Sequence, residues 1–247
     1  MSDPLGQGGG PVGVFGGTFD PVHHGHLRTA LEVLEGCGLE QLRLVPALVP
    51  PHRPQPRAPA SLRLEMLRRA VAGEPRLVVD DRELRRGGPS YTVDTLAELR
   101  AAVGTRPLCL VLGADAFLGL PGWHRWRELF ALAHLVVVER PGTRLEPDAE
   151  LAAWLAGRRS EDAAALTASS AGLLRMQPVT PLAISASAIR ALLAGGGDPR
   201  FLVPEAVREL IMASRCYPSN TGPPAGSKEA QRSAKQETRI TGQGGPG

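Results

Sequence analysis

Short apolar runs alternate with amphipathic stretches along most of the chain, and this alternation restricts the fold more than any other feature. Runs of strand type lie at residues 12–15, 41–45, 77–79, 108–112 and 135–138, with a weaker sixth at 174–178. Such alternation is typical of βαβ units around a parallel sheet. The sequence therefore predicts an α/β fold, a Rossmann-like doubly wound parallel sheet with a small helical portion at the C-terminal end.

Helix starts are predicted from residues whose side chains can cap free amide groups. Ser61 and Thr92 can each cap a helix that begins at the next residue, and Ser185 or Ser187 can open a short one later in the chain. The predicted helices end near residues 36, 71, 103, 193 and 214. Each of the first three helices follows a predicted strand, as βαβ units require.

A single domain over residues 11–217 is predicted between two segments that lack the composition to fold. Residues 1–10 are predicted to be unstructured, and residues 218–247 contain almost no large apolar side chains. Such a composition buries too little apolar surface to offset the entropy of ordering, so a disordered tail is predicted. Residues 49–59, VPPHRPQPRAP, are too rich in Pro for a helix or a central strand. They are predicted to form a mobile loop at the ligand-binding edge of the sheet.

Composition argues against several classes of protein. Residues 218–247 supply +2 of the net charge of +3, which leaves a nearly neutral body and no basic surface for nucleic acid. No apolar run approaches the roughly 18 residues that a membrane span needs. The first residues lack the features of a secretory signal, so a cytoplasmic location is predicted. The wide spacing of Cys37, Cys109 and Cys216 favours reduced thiols and predicts no structural metal site.

The turn after the first predicted strand, GGTFDPVHHGH, is a candidate site for an anion. Ligands of open parallel sheets bind beyond the carboxyl ends of the strands. Gly16 and Gly17 permit close approach of the backbone to a ligand, and Thr18 offers a hydroxyl group. A helix is predicted to begin near His23 with its free amides pointing outward, and His26 lies three residues on, on the same face. The turn therefore predicts a phosphate site.

Two less specific explanations apply to the same turn. A histidine at the start of a helix is often only solvated or part of the cap, and an HxxH pair can bind zinc. No third zinc ligand is evident close to His23 and His26, and His24 points away from both. The combination of glycines, a hydroxyl and two histidines in one strand-to-helix turn favours the phosphate site.

A second candidate phosphate element is the heptapeptide ISASAIR. It places Ser185 and Ser187 at the start of a short predicted helix and Arg190 one turn later. Hydroxyls, free amides and a guanidinium suit a phosphate, although a serine before a helix is usually only its N-cap. Gly113 and Asp115 follow the fourth predicted strand, again at a carboxyl end where a ligand can bind.

The two motifs together resemble the signature of the nucleotidylyltransferase superfamily. The first ends in the HxGH pattern that the superfamily shares with class I aminoacyl-tRNA synthetases, and ISASAIR is similar to its ISSTxIR motif, with Ala186 and Ser187 in place of Ser and Thr. The resemblance implies a Rossmann-like domain that transfers AMP from ATP to a phosphate. It assigns catalysis to His23, His26 and Arg190. It assigns ATP binding to Gly16, Gly17, Thr18, Phe19, Gly25, Gly113, Asp115, Ser185 and Ser187.

Further segments resemble the bacterial nicotinate-nucleotide adenylyltransferases, over about residues 12–215 in all; they are GPSYTVDTL, WHRW, PPHR and RLEML. This resemblance implies that nicotinate mononucleotide is the acceptor. Trp123 would stack on the pyridine ring, and the backbone amides of Thr92 and His124 would receive the nicotinate carboxylate. A helix start favours negative charge, which suits that role for Thr92. Arg53, in the Pro-rich loop, would reach a phosphate when the loop closes.

The implied reaction yields nicotinate adenine dinucleotide and pyrophosphate, a step of NAD biosynthesis. The acceptor phosphate would attack the α-phosphorus of ATP directly, without a covalent enzyme intermediate, aided by Mg²⁺ bound mainly to substrate oxygens. Other acceptors of the superfamily stay open: pantetheine phosphate, glycerol phosphate and the nicotinamide nucleotide. So does a non-catalytic ATP sensor. An aminoacyl-tRNA synthetase is disfavoured because the chain has no KMSKS-like lysine loop. The sequence does not predict the oligomeric state.

Overall fold

A six-stranded sheet forms the centre of the computed structural model, which describes residues 8–51, 54–139 and 145–218. The strands are β1 Val12–Gly17, β2 Gln41–Pro46, β3 Leu77–Val79, β4 Leu108–Gly113, β5 His134–Glu139 and β6 Leu174–Pro178. They lie in the order β3-β2-β1-β4-β5-β6, and every neighbouring pair is parallel. This is the strand order of a dinucleotide-binding Rossmann sheet.

Helices cover both faces of the sheet. The α-helices of the described residues are α1 His24–Gly36, α2 Ala60–Val71, α3 Arg82–Arg86, α4 Thr92–Val103, α5 Ala114–Leu118, α6 Leu129–Leu132, α7 Ala149–Leu155, α8 Ala165–Ala168, α9 Ala186–Ala194 and α10 Glu205–Ser214. Two turns of 3₁₀ helix, Leu120–Gly122 and Trp126–Glu128, lie between α5 and α6. The last two helices form the small C-terminal helical portion that the sequence predicts.

Two apolar cores lie on opposite faces of the sheet. Leu42 and Leu44 of β2 are buried in one core with apolar residues of α1, α2, α9 and α10. Val12 and Val14 of β1 are buried in the other with apolar residues of α4, α5, α6 and α7. Because parallel strands are covered on both faces, their sequences read as nearly continuous apolar runs. The predicted doubly wound α/β fold is confirmed.

The order of the strands determines where a ligand can bind. β1 pairs with β2 on one side and with β4 on the other. Strands β2 and β3 therefore extend the sheet to one side of β1, and strands β4 to β6 extend it to the other. Gly17 ends β1 and Gly113 ends β4, both at the carboxyl edge. In open α/β sheets the ligand crevice lies at this topological switch point. The fold therefore brings the GGTFDPVHHGH turn and the segment after β4 to one crevice.

Strand positions were the most accurate part of the sequence prediction, whereas two predicted helix caps are wrong. All six strands occur within two residues of their predicted ends. Helix α2 begins two residues early, at Ala60, because Pro59 supplies the extended N-cap residue, so Ser61 is already helical. Helix α4 begins at Thr92 itself, and its N-cap residue is Tyr91, whose side chain makes no capping hydrogen bond.

The predicted terminal segments lie largely outside the described residues. Residues 1–7 and 219–247 fall there, so their disorder stays a prediction. Gly10 is already attached to the body, since its amide donates to the Glu40 carboxylate over 3.0 Å. In the Pro-rich loop, the described residues form neither a helix nor a strand, apart from one isolated bridge between Val49 and Pro89.

All three cysteines are free thiols, as predicted. Cys37 and Cys109 are buried and Cys216 is half-buried. Burial raises the pKa of each thiol, which disfavours the reactive thiolate. Within the part of the chain that the structure describes, no helix is both long and apolar enough to cross a membrane.

His134, at the start of β5, is a fully buried histidine with a structural role. Its Nε2 lies 2.8 Å from the Ser169 carbonyl oxygen, and its Nδ1 accepts from the Leu173 amide over 3.1 Å. Because Nδ1 accepts a hydrogen bond from an amide, it carries no proton. The ring is therefore neutral, with its proton on Nε2. Burial lowers the pKa of His134, helped by the charge of nearby Arg100.

Acid should therefore destabilise the fold through His134. The folded state binds fewer protons than the unfolded chain, so the free energy of unfolding falls as pH drops below the ordinary histidine value of 6.5. The expected slope from this one group is at most about 1.4 kcal/mol per pH unit. Urea unfolding of the wild type and His134→Gln between pH 7 and 5.5 measures it. The variant should lose stability less steeply; equal slopes would contradict the assignment.

Candidate active site

The turn after β1 forms the floor of the crevice. Gly16 is exposed, and a Cβ added to it would meet no atom within 4 Å, so the backbone here faces open space. Thr18 is half-buried beside it. His23 is the N-cap residue of α1. The His24 amide donates to the Leu202 carbonyl oxygen over 3.0 Å and the His26 amide to the His23 carbonyl oxygen over 2.9 Å, which leaves the Gly25 amide of the first turn for a ligand. Exposed backbone and a free amide at one point suit an anionic ligand.

His23 and His26 lie against each other at this point, as predicted. Their ring centroids are 3.7 Å apart and their planes differ by 26°, so the rings stack. His26 also contacts the edges of Phe19 at 5.1 Å and Phe15 at 6.4 Å. Phe19 is buried, so its side chain supports His26 from the core side, and any contact of this residue with ATP must come from its main chain.

Asp20 is a buried anchor behind the turn. Its carboxylate accepts hydrogen bonds from the amides of Arg57 and Ala58, over 2.8 and 3.0 Å, and from the Tyr217 hydroxyl over 2.7 Å. Burial and the neighbouring carboxylate raise the pKa of Tyr217, so its hydroxyl stays a donor. Asp20 thus joins the phosphate turn, the end of the Pro-rich loop and the residues after α10.

Arg63 of α2 connects the same segments through backbone carbonyls. Its guanidinium donates to the carbonyl oxygens of Thr18 at 2.6 Å, Ala47 at 2.7 Å and Ala58 at 3.2 Å. The side chain is only 1% exposed, and Asp20 provides the nearby negative charge. A buried arginine of this kind sets the path of the turn without facing a ligand.

The ISASAIR element lies beside the turn. Ser185 is confirmed as the N-cap of α9, where its Oγ accepts from the Ala188 amide over 3.1 Å. Arg190 donates from Nη1 to the Asp20 carbonyl oxygen over 2.7 Å and from Nη2 to Ser187 Oγ over 3.3 Å. These contacts use two of the five N–H groups of a guanidinium, so others are left for a ligand. Ser185 and Ser187 are both exposed.

Gly25 permits the close approach of the two motifs. A Cβ at this position would lie 3.0 Å from His23 Nδ1 and 3.4 Å from the Ile184 carbonyl oxygen. The start of α1 therefore packs directly on the main chain that precedes α9. The predicted pairing of the HxGH turn with ISASAIR is confirmed as a spatial contact.

The segment after β4 lies at the same edge. Gly113 is exposed and is the N-cap residue of α5, and Asp115 is exposed in the first turn of that helix. Since β1 and β4 are paired, this carboxylate belongs to the crevice at the switch point. Its position is compatible with the predicted contact to a ribose hydroxyl.

A second group of predicted residues meets at the start of α4. The rings of Tyr91 and His124 lie 4.4 Å apart, and Arg125 Nη1 is 3.8 Å from the Asp94 carboxylate. These contacts bring the turn of Trp123 and His124 against the N-terminus of α4. Trp123 is half-buried and His124 is exposed. Thr92, Trp123 and His124, predicted from separate segments, therefore lie in one region.

The remaining aromatic and basic candidates are Trp126, Trp154 and Arg53. Trp126 is buried and packs against Trp154 with ring centroids 5.8 Å apart, so it has a structural role. Arg53 lies outside the described residues. Among residues 8–51, 54–139 and 145–218, no group of three or more His, Cys, Asp or Glu side chains is placed to hold a metal ion.

Comparison with known proteins assigns the family. A family model described as cytidylyltransferase-like matches residues 14–192. A probable nicotinate-nucleotide adenylyltransferase of Halorhodospira halophila is 54% identical over 206 residues, which cover 83% of this chain and 94% of the relative. One of Methylococcus capsulatus is 48% identical over 207 residues, which cover 83% and 99%. The chain belongs to the nicotinate-nucleotide adenylyltransferase family.

Solved structures of that family share the fold at low sequence identity. The nicotinic acid mononucleotide adenylyltransferase of Plasmodium falciparum, complexed with NaAD, superposes with a TM-score of 0.64 at 15% identity and covers 85% of this chain and 98% of its own. A protein from Vibrio parahaemolyticus described as a putative nicotinate-nucleotide adenylyltransferase gives a TM-score of 0.54 at 16% identity, with coverage of 84% and 95%. The likeness at these identities concerns the fold alone.

Sequence reasoning missed the buried residues that hold the crevice together. Asp20 and Arg63 stand within the motif segments GGTFDPVHHGH and RLEML, but the motifs assign neither of them a role. A charged residue within an otherwise apolar helix face could have indicated Arg63, because such residues are rarely buried unless paired. No local signal indicates Tyr217, whose partner lies 197 residues earlier.

Proposed function

We propose that the protein transfers AMP from ATP to nicotinate mononucleotide, with ATP at the switch point and the acceptor between the start of α4 and the Trp123 turn. The observation that carries this proposal is the meeting of two separate sequence motifs at one crevice, through Gly25 against Ile184 and Arg190 against Asp20. The similarity to nicotinate-nucleotide adenylyltransferases supports the choice of acceptor.

The ATP end of the site is built for phosphates. His23, His26 and Arg190 hold the α- and β-phosphates and stabilise the charge that grows on the departing pyrophosphate. The amide of Gly25 and those at the start of α9 add donors, and the hydroxyls of Thr18, Ser185 and Ser187 orient the chain of phosphates. Gly16 and Gly113 give the nucleotide room beside the main chain, Gly17 and Gly25 allow the turn to pack closely around it, and Asp115 contacts its ribose.

The acceptor end selects a flat ring with a carboxylate. The indole of Trp123 stacks on the pyridine ring, and the amides of Thr92 and His124 receive the carboxylate. The N-terminus of a twelve-residue helix favours that negative charge. Arg53 lies outside the described residues, so its contact with the acceptor stays a prediction. The amide form of the ring lacks the charge and is bound less well.

Direct displacement accounts for the reaction without an enzyme nucleophile. A phosphate oxygen of nicotinate mononucleotide forms a bond to the α-phosphorus of ATP, and the bond from that phosphorus to the bridging oxygen breaks. The electron pair leaves with pyrophosphate. Catalysis then consists of holding both substrates in line and stabilising charge.

Magnesium enters this proposal as an ion that arrives with ATP. The residues beside the turn offer imidazoles, hydroxyls and a guanidinium, and the nearest carboxylate, Asp20, already accepts three hydrogen bonds. Such a set fits an ion held mainly by phosphate oxygens, since Mg²⁺ commonly binds in that way. When bound, the ion neutralises phosphate charge.

The cytoplasmic location also stays a proposal.

A panel of acceptors tests the function. We expect pyrophosphate release with ATP, Mg²⁺ and nicotinate mononucleotide, and a kcat/KM at least about tenfold lower with the nicotinamide nucleotide, since it lacks a charged hydrogen-bond partner. Pantetheine phosphate and glycerol phosphate should not react. Equal or greater activity with the nicotinamide form would contradict the proposed acceptor. Tight ATP binding without turnover of any acceptor would instead favour a nucleotide sensor.

A further inference from the structure

Glu83 is a buried carboxylate close to the start of α4 that the proposed mechanism does not use. The residue lies in the short helix α3 and is 7% exposed. Its Oε1 accepts from the Thr95 hydroxyl over 2.6 Å, and the Ser90 side chain lies close enough to the same carboxylate to lower its pKa. Ser90 and Thr95 stand on either side of Thr92, so one side chain holds both flanks of the helix start.

The direction of these hydrogen bonds requires an acceptor at position 83. Thr95 Oγ1 already accepts from Arg86 Nη2 over 3.1 Å, so its single proton points to Glu83. Ser90 Oγ accepts from the Leu48 amide over 2.9 Å, which leaves its own proton available to the nearby Glu83 carboxylate. Burial raises the pKa of Glu83, while both hydroxyl hydrogen bonds act in the opposite direction. A carboxylate can receive two hydroxyl donors, whereas an amide presents donors of its own on one side.

The same contacts tie α4 to the edge of the sheet. Leu48 and Val49 follow the carboxyl end of β2, and Val49 accepts at its carbonyl from the Ser90 amide over 2.9 Å. Ser90 therefore connects the beginning of the Pro-rich loop with the residues that lead into α4, and Glu83 lies beside it.

A buried ion network in turn holds Glu83 in place. Asp80, just after β3, accepts from Arg43 Nε of β2 over 2.7 Å and from Arg82 Nη2 of α3 over 2.7 Å. Arg43 is 2% and Asp80 3% exposed. Such a pair is costly to disturb once buried, so the start of α3 is rigidly attached to the sheet.

We propose that Glu83 is a positioning residue for the acceptor: by holding the hydroxyls of Ser90 and Thr95, it aims the first amides of α4 at the carboxylate of nicotinate mononucleotide. The N-cap residue Tyr91 makes no side-chain capping hydrogen bond. The amides of the first helical turn have no carbonyl partner within the helix and depend on the position of the whole turn. This inference rests on the proposed acceptor site.

The test separates the two substrates. Glu83→Gln keeps the size of the side chain but introduces donors where two hydroxyls donate. We expect KM for nicotinate mononucleotide to rise about tenfold, as a misdirected hydrogen bond to a charged group would cause, with KM for ATP unchanged within about twofold. The preference over the nicotinamide nucleotide should shrink, because that preference depends on the carboxylate. Glu65→Gln is the control: Glu65 bonds to Arg69 on the exposed side of α2, outside this network.

Two further variants keep the inference testable if Glu83→Gln does not fold. Thr95→Val and Ser90→Ala each remove one hydroxyl partner, and each should raise the acceptor KM about threefold without affecting KM for ATP. An equal loss of kcat with both KM values unchanged, or unchanged kinetics in every folded variant, would overturn the inference. Wild-type protein that uses another acceptor would refute the proposed function, a result that the variants cannot imitate.

Discussion

His26→Ala should lower kcat by more than about tenfold while KM for ATP changes much less. A loss of this size corresponds to more than about 1.4 kcal/mol of transition-state stabilisation, which one directed contact to a developing charge can supply. The His26 ring is held by Phe15, Phe19 and the stacked ring of His23, so its direction is set before substrate binds. Steady-state rates of pyrophosphate release at saturating acceptor measure the effect.

His24→Ala provides the matched control for that measurement. It removes an imidazole from the same helix, but His24 lies in a groove with Leu27, Arg28 and Leu31 instead of against His23. We expect its kcat to stay within about twofold of the wild type, the range of surface substitutions. Thermal unfolding of both variants checks that the fold is intact. A His26→Ala protein with wild-type kcat would remove this residue from the mechanism.

Arg63→Met should destabilise the protein far more than the loss of an exposed arginine does. The side chain would keep its apolar length, but the carbonyls of Thr18, Ala47 and Ala58 would lose their donor in a buried place. Unpaired buried polar groups cost about 1 to 3 kcal/mol each, and loss of one partner from a buried charged contact about 3 to 5 kcal/mol in total. We expect a decrease of about 3 to 5 kcal/mol in the free energy of unfolding in urea.

Arg69→Met on the same helix is the comparison for Arg63. Arg69 pairs with Glu65 on the solvent side of α2, where both side chains are more than 40% exposed. Exposed pairs contribute about 0 to 1 kcal/mol, so this variant should unfold almost like the wild type. Equal midpoints for the two variants would contradict a structural role for the Arg63 contacts. A stable Arg63→Met protein with an altered KM for ATP would instead place the guanidinium at the nucleotide.

The sheet was predictable because burial on both faces restricts the residue types at every position of a strand. A strand covered on both faces needs apolar residues at every position, and Leu108–Gly113 and His134–Glu139 satisfy this almost completely. The strand-to-helix turn was predictable for a similar reason. Its close packing needs glycine at Gly17, against the Phe19 ring, and at Gly25, against the Ile184 main chain, so the signal is contained in one short segment.

The anchors of the site could not be predicted because their partners are distant in sequence. Asp20 acquires its role from Ala58 and Tyr217, and Glu83 from Ser90 and Thr95. A single carboxylate in a sequence looks the same whether it is solvated or accepts buried donors. The predicted starts of α2 and α4 were wrong for a different reason. The N-cap residues Pro59 and Tyr91 have extended backbone and make no capping hydrogen bond with their side chains.

The hydrogen bond between Tyr217 and Asp20 can form only late in the synthesis of the chain. It joins residues 197 positions apart, and Arg190 reaches the same aspartate from 170 positions away. At about 5 to 20 residues per second, the ribosome needs roughly 10 to 40 s between making the two ends of this contact. The strands from β1 to β5 can pair during that interval, but the nucleotide crevice acquires its final shape only when the last helix has emerged. A nascent chain therefore gains its sheet well before it gains its activity.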